Sequence, residues 1–388
     1  MPKRAARVCA ASSLPRFMPR VAPIWAPDAR DGTDPPPGKS RAMLAKLSTS
    51  LKNAYRGWSV TSRVESFEGW LDRRDGGAAS GRNYDHAKTV NDYYSICSEF
   101  MQFGWNESLH FAPLRPGESL DDSILRHQRL MIGKLRLKEG MTVIDVGCGV
   151  GGPMRRVARE SGARVVCLNN NEQQLEKAKR RNVEAGLDHM ADYVHCSFMD
   201  MSRFEPDSFD AGYAIESTCH APDKQGAFAE IFRVLKPGAL FWGQEMCLTN
   251  EFDPDSARHR EIKRELMHGI ALNEIASFAE VDQALEAVGF EVIEGMDRSM
   301  QEDPYTPWYQ PMEGDTGTFR NLLRRTPAGR KAMIGMVKLT EAFGLFPKGS
   351  STVIRLMDRT AEAYVAGGKT GIFTPLYCFL ARKPLRTA

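Results

Sequence analysis

The chain has 388 residues, enough for one large domain or two smaller ones around a buried core. With 42% hydrophobic and 26% charged residues its composition is that of an ordinary globular protein, and no apolar run approaches the roughly 20 residues of a spanning helix. The net charge of +3 is uneven, because residues 1–63 carry 12 Lys/Arg against 3 Asp/Glu (+9) and leave −6 for the rest, the opposite of a nucleic-acid-binding footprint.

The first 27 residues contain no acid and have arginines at 4, 7, 16 and 20 among Ala, Ser and Pro. They fit an organelle transit peptide, a tail drawn to anionic lipid, or an extension of no great consequence. Asp34-Pro-Pro-Pro-Gly38 breaks regular structure, and helix-compatible sequence begins near Arg41. Residues 75–81, rich in Gly, read as a loop, and Tyr84 to Phe100 as a helix ending in an aromatic cluster. The eight cysteines form no CxxC pair and the eight histidines no ligand spacing, so free thiols in a reducing compartment and no metal site are expected.

From Ser119 onward strands and helices alternate. Helices are expected at Ser123–Leu135, Pro153–Glu160, Glu172–Ala185 and Lys224–Leu235, the last closed by Lys236-Pro-Gly238. Strands are expected at Met141–Asp145, Ala163–Leu168, Asp192–Cys196, Phe209–Ile215 and Ala239–Glu245. That rhythm implies an α/β fold with a parallel sheet and helices on both faces. A helix at Val281–Val288 and a strand at Gly289–Glu294 follow, but the last strand, Ile372–Ala381, comes about eighty residues later. The stretch between, roughly 299–371, carries Tyr305, Trp308 and Tyr309 and amphipathic helices around 319–346 and 351–365. An insertion of that length at a sheet edge reads as a cap over an apolar ligand. The expected domains are a basic, flexible extension (1–60), a Rossmann-like core with a helical N-terminal segment (61–298), and a cap with the final strand (299–388).

The sharpest local signal is Val143-Ile-Asp-Val-Gly-Cys-Gly-Val-Gly-Gly-Pro153, a strand running into glycines that open a helix. Glycines alone would suit a dinucleotide equally well. Asp145, two residues before the first glycine, would repel a diphosphate and attract the amino group of a methionine moiety. The second strand ends in Asn169-Asn170-Asn171, where a ribose-binding acid often stands; asparagine can still bond ribose hydroxyls. S-adenosylmethionine is therefore the expected cofactor.

With these motifs in hand, residues 85–388 resemble the sterol 24-C-methyltransferases. Phe103-Gly-Trp-Asn-Glu-Ser-Leu-His-Phe111, the glycine loop with Pro153, Leu168-Asn-Asn-Asn171, Tyr213-Ala-Ile-Glu-Ser-Thr-Cys-His-Ala-Pro222, Val365-Ala-Gly-Gly-Lys369 and Phe373-Thr-Pro375 carry the resemblance. It implies a seven-stranded class I methyltransferase sheet whose last two strands flank the cap. It also implies methyl transfer to a side-chain double bond at carbon 24, a carbocation at carbon 25, a hydride shift and loss of a proton. Such chemistry asks for a dry apolar tunnel, aromatic faces and one positioned base.

The expected cofactor residues are Asp145, Gly147, Cys148, Gly149, Asn169, Asn170, Gln174, Ser197 and Phe198. Glu216 would anchor the sulfonium side or stabilise the cation, and His220 would accept the final proton, or else merely shape its loop. Glu245 is a second acid at the same sheet edge. Phe103, Trp105, His110, Phe111 and Tyr213 are the substrate candidates, with core packing as their alternative. The chain departs from the family's aromatic residues at Phe103, Gln244 and Met246, and has Ser197 where an aspartate is usual. A carbon methyltransferase for another isoprenoid alkene, such as squalene, and a lipid-binding protein without catalysis are the competing readings. The resemblance further implies a sterol partner, peripheral contact with an intracellular membrane surface (endoplasmic reticulum in a eukaryote), and leaves a homo-oligomer open.

Overall fold

A computed structural model describes residues 47–53, 55, 59–65, 69, 86–105, 107–300, 306–313 and 327–386, excluding the side chains of 86, 87 and 103–105. One mixed sheet of seven strands organises them: β1 (Thr142–Val146), β2 (Arg164–Asn169), β3 (Ala191–His195), β4 (Phe209–Ile215), β5 (Leu235–Leu248), β6 (Glu291–Asp297) and β7 (Phe373–Arg382). Their order is β3-β2-β1-β4-β5-β7-β6. The first five pair in parallel, while β7 lies antiparallel between β5 and β6. The expected class I methyltransferase sheet is thus observed, with the long insertion between β6 and β7.

The principal helices are α1 (His86–Trp105), α2 (Leu120–Lys134), α3 (Gly152–Ser161), α4 (Glu172–Glu184), α5 (Lys224–Val234), α6 (Ala257–Ile270), α7 (Phe278–Ala287), α8 (Pro327–Ala342) and α9 (Ser350–Thr370). Their starts follow local chemistry. Ser119, Asn171, Asp223, Ser256 and Ser277 each accept a backbone N–H from the first turn. Ser119 explains why α2 begins three residues before the expected start. Residues 236–239 separate Leu235 from Leu240 in the pairing with β4, so β5 enters through the Lys-Pro-Gly turn rather than after it.

Two clusters build the cap. One joins Leu51, Tyr55, Val60 and Val64 to Tyr93 and Ile96 of α1 and to Val337, Val353 and Leu356 of α8 and α9. Residues 47–60, assigned from sequence to a flexible extension, include Leu51, Tyr55 and Val60, buried to 0, 4 and 1% exposure. These three belong to the folded body because their apolar side chains complete the cap. The other cluster packs Trp308, Tyr364 and Phe373 onto Leu266 and Ile270 of α6. The expected loop at 75–81, Tyr305, and the part of the expected cap helix before 327 lie outside the described residues.

Candidate active site

The glycine loop follows β1 directly. Gly147, Gly149 and Gly151 take φ of +87°, +54° and +78°, the left-handed region that favours glycine. A Cβ on Gly147 would stand 2.4 Å from Ser217 Cβ, and one on Gly152 only 2.3 Å from Glu107 O. These two glycines are required by packing against the protein itself. A Cβ on Gly149 would meet nothing within 4 Å, so the space over the loop opens there.

Asp145 is buried, and Tyr213 Oη donates to its Oδ2 at 2.9 Å. Burial pushes its pKa up to about 7, with the tyrosine bond opposing the rise. Asn169 Nδ2 donates to Gln174 Oε1 at 3.0 Å and, more weakly, to Gly149 O at 3.4 Å. Gln174 in turn donates to Ser98 Oγ of α1 at 2.8 Å, and Asn171 reaches Asn91 Oδ1 at 2.6 Å. Helix α1 is thereby stitched over the carboxyl end of β2. Cys148 is buried, Asn170 accepts a contact from His195 at its carbonyl, and Ser197 Oγ caps Met199 N. Phe198 packs half-buried against the sheet. An open cradle at Gly149 beside a buried carboxylate and an Asn–Gln pair suits a zwitterionic amino-acid moiety joined to a nucleoside.

Ser217 connects this loop to a second space. The preceding residue, Glu216, lines an apolar cavity of about 1380 Å³, solvent at its mouth included. Tyr94, His110, Phe111, Met246 and Tyr364 share its inner wall with Glu216. Phe111 stacks edge-on against Tyr364 and Trp308, ring centroids 5.0 and 5.2 Å apart. Glu216 Oε1 accepts from Phe111 N and from Gln244 Nε2, both at 2.7 Å; Oε2 accepts from none of the described residues. Its backbone sits at φ +50°, a conformation that costs a non-glycine residue about 1–3 kcal/mol and is held by the surroundings. Burial pushes its pKa up to about 8, with the Phe111 and Gln244 bonds pulling down.

Some sequence candidates converge on this cavity and others do not. Glu216, His110 and Phe111 line it. His110 bonds Phe111 O at 2.7 Å and Gln128 Nε2 at 2.9 Å, and burial lowers its pKa to about 4, so it is a neutral linker. His220 stands behind the wall, its Nε2 2.9 Å from the Tyr94 hydroxyl. Tyr213, expected at the substrate, is fully buried in the sheet core beside Trp242; its position on β4 points the hydroxyl at Asp145 instead. Glu245 alternates away from Gln244 and Met246 along β5, where Lys224 Nζ donates to it at 2.8 Å and Thr218 also bonds it. It is held in that ion pair and does not line the cavity. The Phe103 and Trp105 side chains lie outside the described residues. The sequence reading missed Tyr94, Tyr364 and His127; the Tyr93-Tyr94 pair in an amphipathic helix was the available signal for the first.

Comparison with known proteins follows the same outline. The methyltransferase domain family matches residues 144–243, and the sterol methyltransferase C-terminal family matches 321–385. The chain is 44% identical to cycloartenol-C-24-methyltransferase of Arabidopsis thaliana over 87% of its length and 99% of the relative's. It is 36% identical to sterol 24-C-methyltransferase ERG6 of Saccharomyces cerevisiae, over 88% of each. In fold it resembles the cyclopropane synthase MmaA2 from Mycobacterium tuberculosis, with a TM-score of 0.57 and 16% identity, covering 78% of this chain and 100% of that one. An Asp-Gly loop, a carboxyl in an apolar cavity and a C-terminal cap thus coincide with both family matches, and the chain belongs to the sterol 24-C-methyltransferase family.

Proposed function

We propose that this protein transfers a methyl group to carbon 24 of a sterol side chain, the double bond there acting as the nucleophile. The observation that carries the reading is Glu216, a carboxyl in the inner wall of an apolar, aromatic-lined cavity, adjacent to the residue that touches the glycine loop. When bound, S-adenosylmethionine supplies an electrophilic methyl group. Asp145, Gly149, Asn169 and Gln174 would hold it, with Ser197 and Phe198 at the adenine side.

The chain's own part is to handle charge in a dry space. Glu216, with its pKa near 8, is protonated at neutral pH while the cavity is apolar. A positive charge alongside favours the carboxylate, so ionisation accompanies the charge it stabilises. Because Oε1 is taken by Phe111 and Gln244, Oε2 is the oxygen left to face that charge. The rings of Phe111, Tyr94 and Tyr364 exclude water and offer π faces to a cation. For the departing proton, the Tyr94 hydroxyl leads to His220 Nε2 behind it.

Sterols reside in membranes, so the reading includes contact with an intracellular membrane surface; no helix among the described residues is long and apolar enough to cross one. Deuteromethyl-labelled cofactor offered with desmosterol, zymosterol, cycloartenol and squalene tests the proposal. Label in a sterol side chain, read by mass spectrometry, is the expected result. Label on squalene alone would refute the sterol assignment.

A further inference from the structure

Away from Glu216, the cavity wall holds a largely buried ion pair that the reaction does not use. Arg330 in the first turn of α8 and Asp358 in α9 both line the cavity, with side chains 10 and 14% exposed. Arg330 Nε donates to Asp358 Oδ1, and its Nη1 donates to Met312 O at 2.7 Å. Around them the wall is Met333, Met336, Val337, Met357 and Ala361. A buried pair in apolar surroundings is poor evidence for stability, since hydrophobic residues of similar volume pack as well or better. Its presence asks for another reason.

The location supplies one. Arg330 also borders a separate groove with the exposed Arg258, Glu362 and Lys369, so the pair stands where the cavity approaches the surface. Six residues of α9, roughly 9 Å of helix axis, separate Asp358 from Tyr364. Beyond Tyr364 come its contact with Phe111 and the bond from Phe111 to Glu216. The cavity thus has a charged site towards its outer end and the reactive carboxyl within. Asp358 Oδ2 accepts no hydrogen bond from the described residues.

A sterol matches that polarity: one hydroxyl on the ring nucleus, and the alkene at the other end of an otherwise apolar molecule. We propose that the Arg330–Asp358 pair anchors the ring hydroxyl, Asp358 Oδ2 accepting its proton in a hydrogen bond, so that the substrate enters side chain first. This rests on the sterol reading above. The anchor fixes orientation and discriminates an alcohol from an ether or a hydrocarbon of the same shape.

The test compares a 24-alkenyl sterol with its 3-O-methyl ether, for the full-length protein and two variants. The first is Asp358→Asn. The second is the paired change Arg330→Met with Asp358→Leu, which leaves no unpaired charge and so guards against misfolding. Wild type should prefer the free sterol in kcat/KM by about tenfold or more, the size of one hydrogen bond to a charged group. The paired variant should lose that preference, chiefly through KM for the free sterol, with kcat at saturation little changed; Asp358→Asn should fall between. A folded paired variant that keeps the full preference would overturn the anchor while leaving the reaction intact. If wild type methylates no sterol, the underlying reading falls and the anchor with it.

Discussion

Gln244 holds Glu216 from two sides: its carbonyl accepts the Glu216 backbone N–H at 2.9 Å, and its side chain donates to Glu216 Oε1 at 2.7 Å. His127 Nε2, 2.8 Å from Gln244 Oε1, fixes which way the amide points. Burial lowers the His127 pKa to about 3, so the imidazole is neutral and donates from Nε2. The position where the family usually has a tyrosine has here become part of the carboxyl's support.

Gln244→Met removes the amide donor while keeping a side chain of similar length. Glu216 then loses one of the two bonds that favour its ionised form, and its pKa moves further above about 8. The alkaline rise of kcat/KM should shift to higher pH, with turnover at neutral pH down roughly tenfold, the worth of a hydrogen bond to a charged group. The groups that face Glu216 are Tyr94, Tyr364, Cys219 and Cys378, all neutral near pH 8 because burial raises each pKa, so with cofactor saturating, which takes Asp145 out of the profile, the limb belongs to Glu216. A pH–rate profile identical to wild type would remove Gln244 from the positioning role.

Tyr213→Phe tests Asp145 without touching its carboxylate. The tyrosine bond is what restrains the rise of the Asp145 pKa, so its loss moves the group from about 7 upward and leaves more of it protonated at neutral pH. Cofactor affinity should drop several-fold at pH 7 and recover towards wild type at pH 8.5, read by calorimetric titration. Equal affinity at both pH values would show that Asp145 does not meet the cofactor's ammonium.

Two loop glycines separate packing from ligand binding. Gly147→Ala drives a methyl group into Ser217 and should lower the melting temperature markedly. Gly149→Ala meets open space and costs only left-handed strain, about 1–2 kcal/mol, yet it fills the cradle and should abolish cofactor binding. The opposite ranking in a melt and a titration would reverse the assignment.

How far these features could be read from sequence varies by physical origin. Short β-branched runs ending at glycines, as in Val143-Ile-Asp-Val-Gly147, mark buried strands in any context, and all seven strands were expected within a few residues. Helix α6 escaped because its surface is largely charged, with His259, Arg260, Glu261 and Lys263 in one run, and its apolar contacts come from the distant cap. Glu216 and Phe111 were legible as motif residues, but the bond joining them spans 105 positions. Glu245 was misread because strand alternation, which turns it away from Gln244, shows only once the register is known; Tyr213 shares the face of Trp242 and Gln244 but packs in the sheet core against Asp145, the packing alternative.

Glu216 carries the account, and Glu216→Gln tests it most directly. The amide keeps the shape and the two hydrogen bonds of Oε1 but cannot become an anion. Single-turnover methyl transfer to a sterol at saturating cofactor should fall at least roughly 100-fold, the loss that follows removal of one preorganised electrostatic group, while the melting temperature stays at or above that of wild type. Turnover within threefold of wild type would contradict the central claim that this carboxyl stabilises the charge formed in the cavity.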